Sequence, residues 1–151
     1  MTDLKRILLA EDSAKDVELT LAALQEHHLA NEVVVVRDGA QAWDYLSRQG
    51  AHSDRPAVAP AVVLLDLKMP KMDGLEVLRR LRSDVNLRTV PVVILTSSRE
   101  ERDIIESYKL GVNAYVVKPV AFDEFIGAVK ALGLFWAVLN EPPPGSMRKA
   151  A

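Results

Sequence analysis

The 151-residue chain contains no cysteine. That removes disulfides, thiolate nucleophiles and cysteine-ligated metal centres together. It also lacks any run of about 18 or more apolar residues, the length a membrane-spanning helix needs. Met1 to Arg6 is followed by only four apolar residues before Glu11, too short for the apolar region of a signal peptide. Charge of one sign is not in excess: 19 Lys and Arg face 21 Asp and Glu, a formal net charge of -2. A general polyanion binder presents a basic face, so no nucleic-acid partner is expected. The seven glycines provide neither G-x-G-x-x-G nor P-loop spacing, which excludes those phosphate cradles. A cytoplasmic, single-domain protein fits this composition, with no membrane partner.

What the sequence does have is a repeated alternation. Short apolar runs, mostly β-branched, recur at residues 7–10, 33–36, 62–65, 92–95 and 115–117. Each is continuous, as in strands buried on both faces of a parallel sheet. Helical patterns lie between them. Ala14, Val17, Leu21 and Leu24 form one apolar stripe, and Ala42, Tyr45 and Leu46 another after the Asp38-Gly39 turn. Val77, Leu78 and Leu81 follow the Asp73-Gly74 turn; Ile104, Ile105 and Tyr108 precede Gly111, a C-terminal stop signal. A fifth helix is expected from near Phe122 to Leu139. These alternations predict an α/β fold, a doubly wound five-stranded parallel sheet with five helices. Residues 50–60 read as a long irregular connection. Residues 1–140 form the expected domain, and 141–151, opening on Glu141-Pro142-Pro143-Pro144, a tail.

Chemistry gathers at the strand ends. The first run ends in Glu11-Asp12, the third in Asp66, the fourth in Thr96 and the fifth in Lys118-Pro119. In open α/β sheets, ligands bind outside the carboxyl ends of the strands. Carboxylates from two strands suit a hard cation such as Mg²⁺. A hydroxyl and an ammonium beside them suit phosphoryl oxygens, and phosphoryl transfer asks mainly for positioning and charge. Any one of these residues alone is an ordinary helix cap or turn. Together, in order, at one end of alternating strands, they form a constellation.

The segments Leu8-Leu9-Ala10-Glu11-Asp12, Leu64-Leu65-Asp66-Leu67-Lys68-Met69-Pro70, residues 91–98 and Tyr115-Val116-Val117-Lys118-Pro119 resemble the signature of response-regulator receiver domains. The resemblance spans residues 5–139. It implies a flavodoxin-like strand order 2-1-3-4-5 and a Mg²⁺-dependent switch in a two-component phosphorelay, not an enzyme acting on other substrates. Asp66 is then the phosphoacceptor. Asp12, Asp66 and the Lys68 carbonyl are the direct protein ligands of Mg²⁺, with Glu11 acting through water. Thr96 and Lys118 would touch the phosphoryl oxygens, as would the backbone N–H groups of Lys68 and Ser97. Pro119 would follow a cis peptide bond, and Thr96 with Tyr115 would be the switch pair acting on the face of the fourth helix, fifth strand and fifth helix.

Arg37-Asp38-Gly39, the 50–60 loop, Ser107-Tyr108-Lys109-Leu110-Gly111 and Phe135-Trp136 before prolines resemble the small single-domain regulators that partner phytochrome-type histidine kinases. Two positions depart from the commoner family pattern. Lys68 stands two after the acceptor and Ser98 two after the threonine, so an aspartyl phosphate of long life is expected, covered by Lys68. Leu134, Phe135 and Val138 project away from the stripe of the final helix, predicting a homodimer through them.

Three other readings compete. A flavin carrier needs a hydroxyl- and glycine-rich first loop, where this chain has Glu11-Asp12-Ser13-Ala14-Lys15-Asp16. A hydrolase using Asp66 as nucleophile needs a substrate cap, and no insertion is long enough to build one. A receiver-like binding module that is never phosphorylated usually lacks one of the chemical residues, and here all are present.

Overall fold

A computed structural model describes residues 6–26, 33–54 and 59–118. Parallel strands β1 (Ile7–Ala10), β2 (Val33–Val36), β3 (Val62–Leu65), β4 (Val92–Thr96) and β5 (Ala114–Val117) form one sheet in the order β2-β1-β3-β4-β5. Between them run α1 (Ala14–Glu26), α2 (Gly39–Ser47), α3 (Gly74–Ser83) and α4 (Glu101–Lys109). A 3-10 turn at Gly50–His52 begins the connection read from sequence as irregular. The fifth helix, Pro119 and the proposed tail lie outside the described residues.

The apolar runs of β1, β3 and β4 are buried throughout, as inner parallel strands require, and those of the edge strands β2 and β5 are partly buried. Successive side chains alternate between two clusters. Leu8, Ala10, Val63, Leu65, Val92 and Ile94 pack with Ala42, Tyr45 and Leu46 of α2 and Val77, Leu78 and Leu81 of α3. Ile7, Leu9, Val62, Leu64, Val93 and Leu95 face the other way, with Val17, Ala23 and Leu24 of α1.

The turn residues mark helix starts for a physical reason. Asp38 accepts the Gln41 N–H at 2.7 Å, and Asp73 the Glu76 N–H at 2.9 Å, each satisfying an amide that lacks an intrahelical partner. The glycine after each cap is fixed by close approach. A Cβ at Gly39 would lie 1.7 Å from the Met72 carbonyl oxygen, and one at Gly74 2.3 Å from that of Asp66. At the far end of α4, Gly111 adopts a φ of 78° and stops the helix as expected.

The apolar stripe expected on α4 is not its buried face. Ile105 is 48% and Tyr108 52% exposed, whereas Asp103 and Ser107 are buried. Periodicity assumes that the apolar side faces inward; here a carboxylate with partners of its own takes that side. On α1, Val17 and Leu24 are buried as read, while Ala14 is exposed.

Arg82 ties the end of α3 to two connections. Its guanidinium donates to the carbonyls of Leu110 and Val90 at 2.8 Å, Gly111 at 2.9 Å and Arg88 at 3.1 Å. Only the planar five-donor fork reaches so many acceptors at once. Arg82→Ala should therefore lower stability by about 2–3 kcal/mol in urea unfolding, with Arg82→Lys recovering less than half. A loss within about 0.5 kcal/mol, the range of ordinary surface changes, would refute this role.

Candidate functional site

Hydrogen bonding continues one residue past three strands. Glu11 N–H donates to the Val36 carbonyl at 3.0 Å, Asp66 N–H to Ala10 at 3.1 Å and Lys118 N–H to Thr96 at 2.8 Å. The ladder thus fixes the backbone of each residue at the carboxyl edge of the sheet. Ser13 starts α1 just beyond: its hydroxyl accepts the Asp16 N–H at 3.3 Å, and its own N–H donates to Glu11 Oε2 at 3.1 Å.

The side chains converge. Glu11 is 1% and Asp66 5% exposed, while Asp12 is exposed. One carboxylate oxygen from each of Glu11, Asp12 and Asp66 lies within 4.8 Å of the others. The Lys118 ammonium donates to Glu11, to Asp16 at 2.8 Å and to Asp66 at 3.2 Å. Burial raises the Glu11 carboxyl to about 7; the Lys118 bond opposes the rise and the Asp66 charge adds to it. Burial works to depress Lys118, but its bonds to Asp16 and Glu11 and the charge of Asp66 prevail and raise it. Negative charge exceeds positive here. An all-oxygen set of carboxylates with unneutralised charge fits a hard divalent cation.

The remaining predicted residues stand around this cluster. Lys68 N–H donates to Asp66 Oδ1 at 3.2 Å, so its backbone adjoins that carboxylate. Its ammonium points elsewhere, 3.4 Å from Asp103 and 3.8 Å from Glu100. The unmodified protein therefore does not hold Lys68 over Asp66. Thr96 is fully buried, and its Oγ1 accepts the Ser98 N–H at 3.3 Å. The Tyr115 hydroxyl donates to the Ser98 carbonyl at 3.1 Å, so threonine and tyrosine meet at one residue.

Two participants escaped the sequence reading. Asp16 looked like an ordinary acid of a first helical turn. Asp103 has the one legible signal: with Ser107, four residues on, it makes a polar pair on one helix face.

The model for the response regulator receiver domain matches residues 7–130. The chain belongs to that family. Among relatives of the receiver, Rcp1 of Synechocystis sp. is 39% identical over 87% of this chain and 88% of its own. The Mn²⁺-bound form of Rcp1 has a TM-score of 0.75 over 92% of this chain and 99% of its own. The bacteriophytochrome response regulator RtBRR is 63% identical with a TM-score of 0.82, covering 96% of this chain and 87% of that one. The phosphorylated cyanobacterial phytochrome response regulator RcpA is 41% identical with a TM-score of 0.75, covering 88% and 94%. The receiver is thus a two-component signalling switch, similar to phytochrome-linked regulators. No helix among its described residues is long and apolar enough to cross a membrane.

The cluster predicts a particular response to losing its cation. Lys118→Ala leaves Glu11 and Asp66 buried and facing each other, which should cost about 3 kcal/mol without metal. Mg²⁺ should then raise the melting temperature of the variant more than that of the parent. A metal-free variant melting at or above the parent would contradict this electrostatic reading.

Proposed function

We propose that Asp66 is the phosphoacceptor of this receiver, served by a histidine kinase of the phytochrome-associated kind. The observation that carries this reading is the meeting of Glu11, Asp12, Asp66 and Lys118 at one edge of the sheet. Glu11, Asp12, Asp66 and the Lys68 carbonyl would hold Mg²⁺, with Glu11 acting through water. When bound, Mg²⁺ neutralises charge on the phosphoryl oxygens and aligns them. Asp66 attacks phosphorus through a carboxylate oxygen, and the bond from phosphorus to the donor nitrogen breaks as the phosphoryl group passes across. Lys118 is already hydrogen-bonded to Asp66 and can follow the incoming oxygens. The chain thereby catalyses only its own phosphorylation and dephosphorylation.

Thr96 and Tyr115 are the proposed switch. Both bind Ser98, so a shift of Thr96 towards the phosphoryl group disturbs the tyrosine contact and carries the change to α4 and β5. The similarity to phosphorylated RcpA and Mn²⁺-bound Rcp1 supports the site, and that to RtBRR supports the kinase class. Residues 1–140 are proposed as the receiver and 141–151 as its tail, in the cytoplasm and without nucleic acid as partner. A homodimer through Leu134, Phe135 and Val138, all outside the described residues, is supported by the apolar pattern of the sequence from Phe122 to Leu139. Sedimentation at micromolar concentration reads it out, and a monomer refutes it.

Acetyl phosphate with Mg²⁺ should add one phosphoryl group to the parent, and none to Asp66→Asn. Equal labelling of that variant would overturn the assignment.

A further inference from the structure

A buried carboxylate is costly unless it is paired and hydrogen-bonded. Asp103 is 5% exposed on the inward side of α4. Its Oδ2 accepts the Ser98 hydroxyl at 2.6 Å and stands 3.4 Å from the Lys68 ammonium. The Ser98 bond, with Lys68 adding to it, holds the Asp103 carboxyl below the usual carboxylate range, so it stays charged. Ser98 in turn accepts the Glu100 N–H at 3.3 Å and contacts Thr96 and Tyr115. Asp103 therefore anchors the connection between β4 and α4 and, through Lys68, the connection that follows Asp66.

Lys68 has two places to go. Its backbone adjoins Asp66, while its long flexible stem carries the ammonium to α4. The side chain of Lys68 is 55% exposed, so this ion pair is weak. A phosphoryl group on Asp66 would carry a charge of about -1.5 to -2 and strong acceptor oxygens. It competes directly with Asp103 for the same ammonium.

We infer that Asp103 is a positioning residue of the phosphoacceptor site: it holds the Lys68 ammonium away from Asp66 and so limits the life of the aspartyl phosphate. This rests on Asp66 being the phosphoacceptor. In hydrolysis, a water oxygen attacks phosphorus, the bond from phosphorus to the Asp66 oxygen breaks, and Asp66 returns to carboxylate. Both protons of the water leave with inorganic phosphate, released as H₂PO₄⁻. A Lys68 ammonium on the phosphoryl oxygens stabilises the phosphorylated state and obstructs the water. Asp103 draws it off.

The test is a double-mutant cycle on the decay of label after acetyl phosphate and Mg²⁺ are removed. Asp103→Asn keeps an acceptor for Ser98 while losing the charge, and should prolong the phosphate about fivefold, the scale set by one weak ion pair. In a Lys68→Met background the same change should have no effect. Glu100→Gln, a change at an exposed side chain, should prolong it less, again only with Lys68 present. Equal prolongation in both backgrounds would show a merely structural role and overturn the inference. So would unchanged decay of both Asp103→Asn and Glu100→Gln in a chain that labels. A parent that takes no label at all would instead overturn the phosphoacceptor reading beneath it.

Discussion

The ammonium of Lys118 is shared among Glu11, Asp16 and Asp66 at the carboxyl edge of the sheet. Little water reaches this group: the Lys118 side chain is 13% exposed and that of Glu11 2%. Charges in such surroundings interact more strongly than on an open surface. One ammonium does not settle the account for three carboxylates and the neighbouring Asp12. Glu11 responds by holding its proton up to about 7, under the pressure of burial. A divalent cation offers the same relief by another route, and with it a surface on which a phosphoryl group can be bound. Affinity for metal is thus a consequence of how the sheet edge is charged.

The fold makes that concentration of charge unavoidable. Parallel strands all end on one side, and the ladder runs on through Glu11, Asp66 and Lys118. Gly74 lets α3 begin directly against the carbonyl of Asp66, which leaves that residue no slack. Lys68 then carries the consequences sideways, because its backbone touches Asp66 while its ammonium touches α4. Ser98 gathers Thr96, Asp103 and Tyr115 onto one residue. Two separate connections, one ionic and one hydrogen-bonded, therefore join the surroundings of Asp66 and Thr96 to α4 and β5.

How much of this the sequence discloses depends on whether the determining partner is local. The strands were legible because burial on both faces leaves unbroken apolar runs, as in Val62 to Leu65. Asp38 and Asp73 were legible because a cap acts on an amide three residues away. The acidic pair, Asp66, Thr96 and Lys118 were legible as a family signature. Asp16 was not, since its partner lies 102 residues away and nothing nearby marks the meeting. Arg82 likewise looks like one of several exposed helical cations until Leu110 and Gly111 fold against it. On α4 the apolar residues misled: Ile105 and Tyr108 face solvent because Asp103, satisfied by Ser98 and Lys68, occupies the inner side.

Excess negative charge around Glu11, Asp12 and Asp66 makes this edge of the sheet the cation site. Substoichiometric Mn²⁺, added to isotope-labelled protein, reports the location by paramagnetic broadening of nearby amide signals. The signals of Glu11, Asp12, Ser13, Asp66, Leu67 and Lys68 should vanish first, and Mg²⁺ should restore them by competition. Broadening spread evenly over the acidic surface, or centred on Asp38 and Asp73, would contradict it.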